Sequence, residues 1–307
     1  PKPSSAASDV YKRQPLEKLL WRIVSDGSER FDTHFDLAVS YIEGGSAYYV
    51  HDHVSAAKKA AFIHVDYVQA GYTRRLDKDC YVDFDRIFAV SDETAGVFAG
   101  VYPECQQKLS VFHNLIDTEA IRQKALSPAE KSMHEGIRLL TVGRLTPQKG
   151  FDCAVYALKL LLEKQYPVYW YIIGEGPEYG RLTQLARSLH VEDHFIFLGM
   201  QTNPYPYFKM ADFYIHATRF EGKSIAIQEA QVLGCAIAAS DCSGNREQIV
   251  SGVDGLLCPF SPEGIANAVE YLIEHPQTAQ SFGRAAAQKA CHFENDIHMI
   301  RDLLYSP

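Results

Sequence analysis

Two glutamates eight residues apart, Glu221 and Glu229, stand in the segment Phe220-Glu221-Gly222-Lys223-Ser224-Ile225-Ala226-Ile227-Gln228-Glu229-Ala230. Gly222 and Ser224 lie just inside the first carboxylate, and an apolar helical pattern follows. One acid therefore falls on a loop and the other a turn or more into a helix. Between them lies a helix N-terminus, whose free backbone N–H groups and positive dipole end favour a bound phosphate. An anion cradle flanked by two carboxylates suits a ligand with phosphates at its centre and hydroxyls at both ends. A nucleotide-sugar is such a ligand.

A second group precedes it. Gly143-Arg144-Leu145-Thr146-Pro147-Gln148-Lys149-Gly150 follows an apolar run and leads into a helical pattern. Arg144 offers a planar fork to phosphate oxygens and Lys149 a point charge. Gly143 and Gly150 allow tight turns and close approach. Gly174-Glu175-Gly176-Pro177 ends the next run, and its glycines would let a flat or charged ligand near the backbone; a plain turn fits as well. Phe197-Leu198-Gly199 ends the third, where a base could meet backbone N–H and C=O groups around Leu198.

The elements that must carry these residues are legible from Ile137 onward. Apolar runs at Ile137–Val142, Tyr169–Ile173, His194–Leu198, Phe213–His216, Ala236–Ala239 and Leu256–Cys258 predict strands. Helical patterns at Phe151–Lys164, Glu178–Leu189, Pro204–Met210, Ser224–Leu233 and Pro262–His275 alternate with them. Such alternation implies a parallel sheet covered on both faces, with ligands bound beyond the carboxyl ends of the strands. The earlier chain repeats the theme, with strands at Asp36–Ser40, Ala61–His64, Arg86–Val90 and Leu109–Phe112 and helices near Asp92–Gly100 and Thr118–Ala125. A last helix is expected over Glu294–Tyr305. Leu126–Glu135, polar and with a proline, reads as the linker. With 307 residues and 47 % apolar composition, two domains with packed cores are expected. The net charge of −8 argues against a nucleic-acid binder. Seven scattered cysteines without Cys-x-x-Cys spacing read as reduced thiols of a cytoplasmic protein.

In family order, Gly-Arg-Leu-x-Pro-x-Lys-Gly, Gly-x-Gly-Pro, Phe-Leu-Gly and Glu-x7-Glu closely resemble the GT-B-fold glycosyltransferases of family 4, over about residues 36–305 and most strongly over 137–260. The resemblance implies two Rossmann-like parallel-sheet domains facing a cleft. It implies that Arg144 and Lys149 bind the diphosphate, Glu229 the ribose, and Glu221 the donor sugar. Gly222, Lys223, Ser224 and Ile225 form the loop whose amides meet sugar and phosphate. Phe62-Ile63-His64-Val65-Asp66 is similar to a segment with a histidine near the donor sugar. Catalysis is thus expected at Glu221, His64, Arg144 and Lys149. Gly143, Gly174, Gly176 and Leu198 are expected at the nucleotide. Lys223 stands where many members carry an aromatic or aliphatic residue.

The implied activity is transfer of a sugar, with retention, from a nucleoside-diphosphate sugar to a glycan or lipid-linked acceptor in cell-envelope or exported polysaccharide synthesis. No metal or cofactor is expected, and the protein is expected in the cytoplasm or peripherally at the membrane's inner face. A same-fold sugar-nucleotide epimerase and a donor-binding but inactive fragment are the alternatives. A nicotinamide oxidoreductase would need Gly-x-Gly-x-x-Gly after a first strand, which is absent. The expected domains are a non-native or disordered tail at 1–14, a partial acceptor domain at 15–135, a nucleotide-sugar domain at 136–290 and a helix at 291–307. The first domain is expected to be incomplete, because nothing before Phe35 matches the family's opening strand and Gly-rich loop. Asp77-Lys78-Asp79 and Asp83-Phe84-Asp85 read as a solvated face. His51-Asp52-His53 offers two metal ligands but no third at suitable spacing. His216 either lines the site or serves structure.

Overall fold

A computed structural model of the chain describes residues 14–289 and 296–305. The tail expected at 1–14 lies, except for Gln14, outside them. The described residues form two compact units, residues 14–114 with 296–305, and residues 115–289.

The first unit is built on four parallel strands in the order β1-β2-β3-β4: β1 (His34–Ser40), β2 (Ser55–Ile63), β3 (Arg86–Ala89) and β4 (Leu109–Val111). Alternation along the strands divides its core. Ala61, Ile63 and Ile87 join Tyr48, Tyr67 and Phe98 in one cluster, while Ala60, Phe62 and Phe88 join Phe112 and Leu303 in another. Leu303 comes from the C-terminal helix Ile297–Tyr305. That helix is tied to this unit by Lys58 Nζ, which donates to Leu303 O at 3.1 Å, and by His113 N, which donates to Asp296 at 2.7 Å.

Asp77 departs from the expected solvated face. It is fully buried and accepts hydrogen bonds from the hydroxyls of Tyr48 (2.5 Å), Tyr67 and Tyr102 (3.1 Å). A buried carboxylate is tolerated when its oxygens are satisfied. The three tyrosines lie far from it in sequence, so a local charge pattern could not reveal them.

The second unit carries six parallel strands: β5 (Ile137–Val142), β6 (Val168–Ile173), β7 (Phe195–Gly199), β8 (Phe213–His216), β9 (Ala236–Ser240) and β10 (Leu256–Cys258). Their order is β10-β9-β8-β5-β6-β7. The chain works outward from β5 to one edge, returns to β8 and works outward to the other. The crevice beside β5 and β8 is where such sheets hold ligands. Leu139, Trp170, Ile172, Ile215 and Ala238 face one core, under the helices Phe151–Glu163, Tyr179–Ser188 and Pro262–Glu274. Leu140, Tyr171, Ile173, Tyr214 and Ile237 face the other, under Tyr205–Met210 and Ile225–Val232. Each large aliphatic side chain fully buried here is worth about 1.5–3 kcal/mol.

The unit boundary falls at 114/115 rather than at the expected 135/136. The helix Thr118–Lys124 packs on Tyr205–Met210 and Ile225–Val232. The expected linker is anchored by Lys131 N, donating to Tyr207 OH at 3.0 Å, and His134 N, donating to Tyr171 OH at 2.6 Å. Among the described residues the cysteines are free, and no helix is long and apolar enough to cross a membrane.

Candidate active site

Lys149 and Glu221 meet. The loop after β5 brings the Lys149 ammonium onto Glu221 Oε2. His216, the last residue of β8, places Nε2 3.4 Å from the same oxygen, an ion-pair distance rather than an aligned hydrogen bond. His216 is 2 % exposed, and its Nδ1 lies 3.2 Å from Tyr214 OH. Burial alone would raise the Glu221 carboxyl. Lys149 and His216 outweigh it and hold the group down at about 2. Burial, with Lys149 assisting, pushes the His216 imidazole below its ordinary value against the pull of Glu221.

The two loops that carry this pair are stapled together. Gln148 Nε2 donates to Phe220 O at 3.0 Å, Thr218 Oγ1 to Gln148 O at 3.1 Å, and Arg219 N to Gln148 O at 2.8 Å. The Arg219 guanidinium grips Asp152 through two bonds of 3.0 and 2.7 Å and lies 4.9 Å over the Phe260 ring. Gly150 allows the close approach: at φ +64°, a Cβ there would stand 2.2 Å from Ala217 O.

The helix expected between the two glutamates begins at Ile225, a turn before Glu229. Gln248 fixes its entry from across the fold. Its Oε1 accepts from Ser224 N at 2.7 Å, and its Nε2 donates to Ser224 O at 2.8 Å. The amide of Ser224 is thereby taken, so a ligand must use the other amides of the loop. Tyr205 OH donates to Glu229 Oε1 at 3.0 Å. Burial raises the Glu229 carboxyl, and the tyrosine opposes it in part.

Gly174, Gly176 and Leu198 come together in a cavity of about 490 Å³ with Glu175, Tyr179, Phe197 and Gly199. The two glycines are required by their neighbours. A Cβ on Gly174 would meet Gly143 O at 2.0 Å, and one on Gly176 would meet Leu145 O at 2.4 Å. A cavity of about 550 Å³ includes Phe213 and Ala236, the first residues of β8 and β9, and so lies at the wrong strand ends for this chemistry.

The Arg144 side chain is exposed, and its guanidinium has no hydrogen bond or ion pair among the described residues. His64 lies in the first unit. Its N–H donates to Glu43 Oε2 at 2.9 Å, its ring centroid is 5.2 Å from that of Tyr41, and its Nε2 is buried without a hydrogen-bond partner. Sequence reading missed Tyr205, Gln248 and Arg219. No local spacing marks them, because each acts on a residue brought near only by the fold.

Residues 122–289 match the family model described as glycosyl transferases group 1. The chain is 30 % identical over 200 residues to the N-acetylgalactosamine-N,N'-diacetylbacillosaminyl-diphospho-undecaprenol 4-alpha-N-acetylgalactosaminyltransferase of Campylobacter jejuni, covering 64 % of this chain and 53 % of that protein. It spans about half the length of the curated relatives it matches. A glycosyltransferase structure from Rickettsia africae superposes with a TM-score of 0.73 at 17 % identity, covering 94 % of this chain and 81 % of that one. Anabaena HepE in complex with UDP superposes at 0.69 and 18 % identity, covering 86 % and 76 %. The fold is thus of the GT-B type expected from the motifs. The family match takes in Lys149, Glu221 and Glu229 and more than half of the 307 residues, and the chain belongs to the glycosyl transferases group 1 family.

Proposed function

We propose that the second unit binds a nucleoside-diphosphate sugar and that the protein transfers the sugar, with retention of configuration, to a glycan or lipid-linked acceptor. The observation that carries this reading is the Lys149–Glu221–His216 cluster, set at the ends of β5 and β8 and followed in the chain by the start of the helix Ile225–Val232. The bond from the anomeric carbon to the diphosphate lengthens into an oxocarbenium-like state. Negative charge grows on the departing phosphate, which Arg144, Lys149 and the helix start would stabilise by several kcal/mol. The departing oxygen takes the acceptor's proton on the same face, and the acceptor oxygen closes the new bond there, so configuration is kept. Glu221 holds sugar hydroxyls and Glu229 the ribose.

The acceptor class is supported by the Campylobacter relative, whose name describes a diphospho-undecaprenol saccharide. On this reading the protein works in the cytoplasm, at the inner face of the membrane when the acceptor is lipid-linked. A thermal-shift panel of UDP-, GDP- and ADP-sugars tests the donor site, and saturation at 100 times the dissociation constant should add about 2.7 kcal/mol. Incubation with a lipid-linked saccharide then separates the outcomes. Glycosylated product supports transfer, a rearranged free nucleotide-sugar indicates epimerisation, and absence of any donor shift rejects the site.

A further inference from the structure

The first unit contains a cluster that the transfer chemistry does not use. Asp26 closes the helix Gln14–Asp26, and Asp52 and His53 close the helix Gly45–His53. Each offers one ligand atom, and the three atoms all lie within 4.8 Å of one another. The sequence showed two candidate ligands within His51-Asp52-His53 and no third at suitable spacing; the fold brings Asp26, 26 residues before Asp52, to Asp52 and His53.

Two acids near a histidine are common on protein surfaces. What sets this group apart is His53. It is only 5 % exposed, yet neither ring nitrogen has a hydrogen-bond partner. An imidazole stripped of water and left without a partner is costly. The ring is held in plane by stacking on Tyr49, with centroids 5.3 Å apart at 22°. The carboxylate of Asp52 is likewise held, by His51 on one oxygen and by Arg22 Nη2 at 3.2 Å on the other. Metal-binding carboxylates are typically fixed by such outer partners.

We propose that Asp26, Asp52 and His53 form a zinc site that ties the ends of these two helices together. One imidazole nitrogen with two carboxylate oxygens suits zinc, whereas magnesium takes oxygen ligands and keeps its water. Bonds of about 2.0–2.2 Å would set neighbouring ligand atoms roughly 3.4 Å apart, so an ion would draw the groups inward by about 1 Å. Asp26 is the exposed member and the one able to swing. A water would complete the tetrahedron. Arg22 competes for Asp52 and limits affinity, because it is a fixed positive charge beside the incoming one. The site lies outside the residues assigned to donor binding, so its fate is independent of the donor reading.

The test uses the full chain stripped with chelator and titrated with zinc chloride, read by thermal unfolding and calorimetry. One equivalent should bind and raise the melting temperature by several degrees, while millimolar magnesium should not. Asp26→Asn, which changes an exposed side chain, should weaken zinc at least tenfold, and His53→Gln should do the same. Arg22→Gln should tighten it. Cobalt(II) should give visible d–d absorption at one equivalent in the native chain and lose it in His53→Gln. No zinc shift, a shift that survives both ligand substitutions, or a shift with magnesium but not zinc would each overturn the proposal.

Discussion

Glu221 shows how a buried acid can remain charged. Burial opposes ionisation, but Lys149 and His216 together hold the carboxyl near 2 against an ordinary 4.5. A depressed folded-state value stabilises the protein above the unfolded value, and the contribution disappears as pH falls through the folded one. Ion pairing at Glu221 should therefore contribute about 3 kcal/mol above pH ~4.5, lost progressively towards pH ~2. Urea unfolding of the native chain and of Glu221→Gln across this window checks it: the native curve should lose stability more steeply, and parallel curves would contradict the assignment. Kinetically, if Glu221 holds the transferred sugar as proposed, Glu221→Gln should lower turnover more than donor affinity. Tyr205→Phe removes the donor that holds Glu229 and should weaken nucleotide-sugar binding by about 1 kcal/mol, roughly fivefold. Calorimetry with the best donor reads that number directly.

Elements, not single residues, decide where these groups stand, and they were legible to different degrees. The strands β5, β8 and β10 have the expected limits because each is a short apolar run between turn residues. The start of β2 at Ser55 was not foreseen, since Ala-Ala-Lys-Lys-Ala carries little hydrophobic signal. The helix Ser243–Gln248 escaped notice because what it buries is Gly244, Asn245 and Gln248, not an apolar stripe. The pair of Glu221 and Lys149 was legible as two motifs, but their contact was not, because 72 residues separate them. Glycines separate by role in the same way. Gly174 lies at φ +140° with Gly143 O where a Cβ would go, so Gly174→Ala should cost at least about 3 kcal/mol. Gly96 sits exposed within the helix Asp92–Val101 with open space around it, so Gly96→Ala should stabilise by roughly 0.5–1 kcal/mol. Chemical denaturation of both variants would expose an error in either sign.

At the scale of the whole chain, each unit has cores on both faces of its own sheet. Calorimetry should accordingly resolve two transitions, and a saturating nucleotide-sugar should raise only the one belonging to residues 115–289. Equal displacement of both would mean that the units melt as one. The neighbouring strands β5 and β8 also have a history in time. Their pairing, marked by Arg138 on Asp212 and Thr141 on Ile215 O, joins residues 74 apart. Closing that loop costs under about 1 kcal/mol more than closing the shorter one between β5 and β6, yet distant pairings slow the search for the native state. The half-sheet of β5, β6 and β7 can assemble while β8 is still absent, as it is on a ribosome. The seam that creates the ligand crevice is then a late arrival. Asp212→Ala should leave the refolding rate nearly unchanged and quicken unfolding, the signature of a contact made after the barrier.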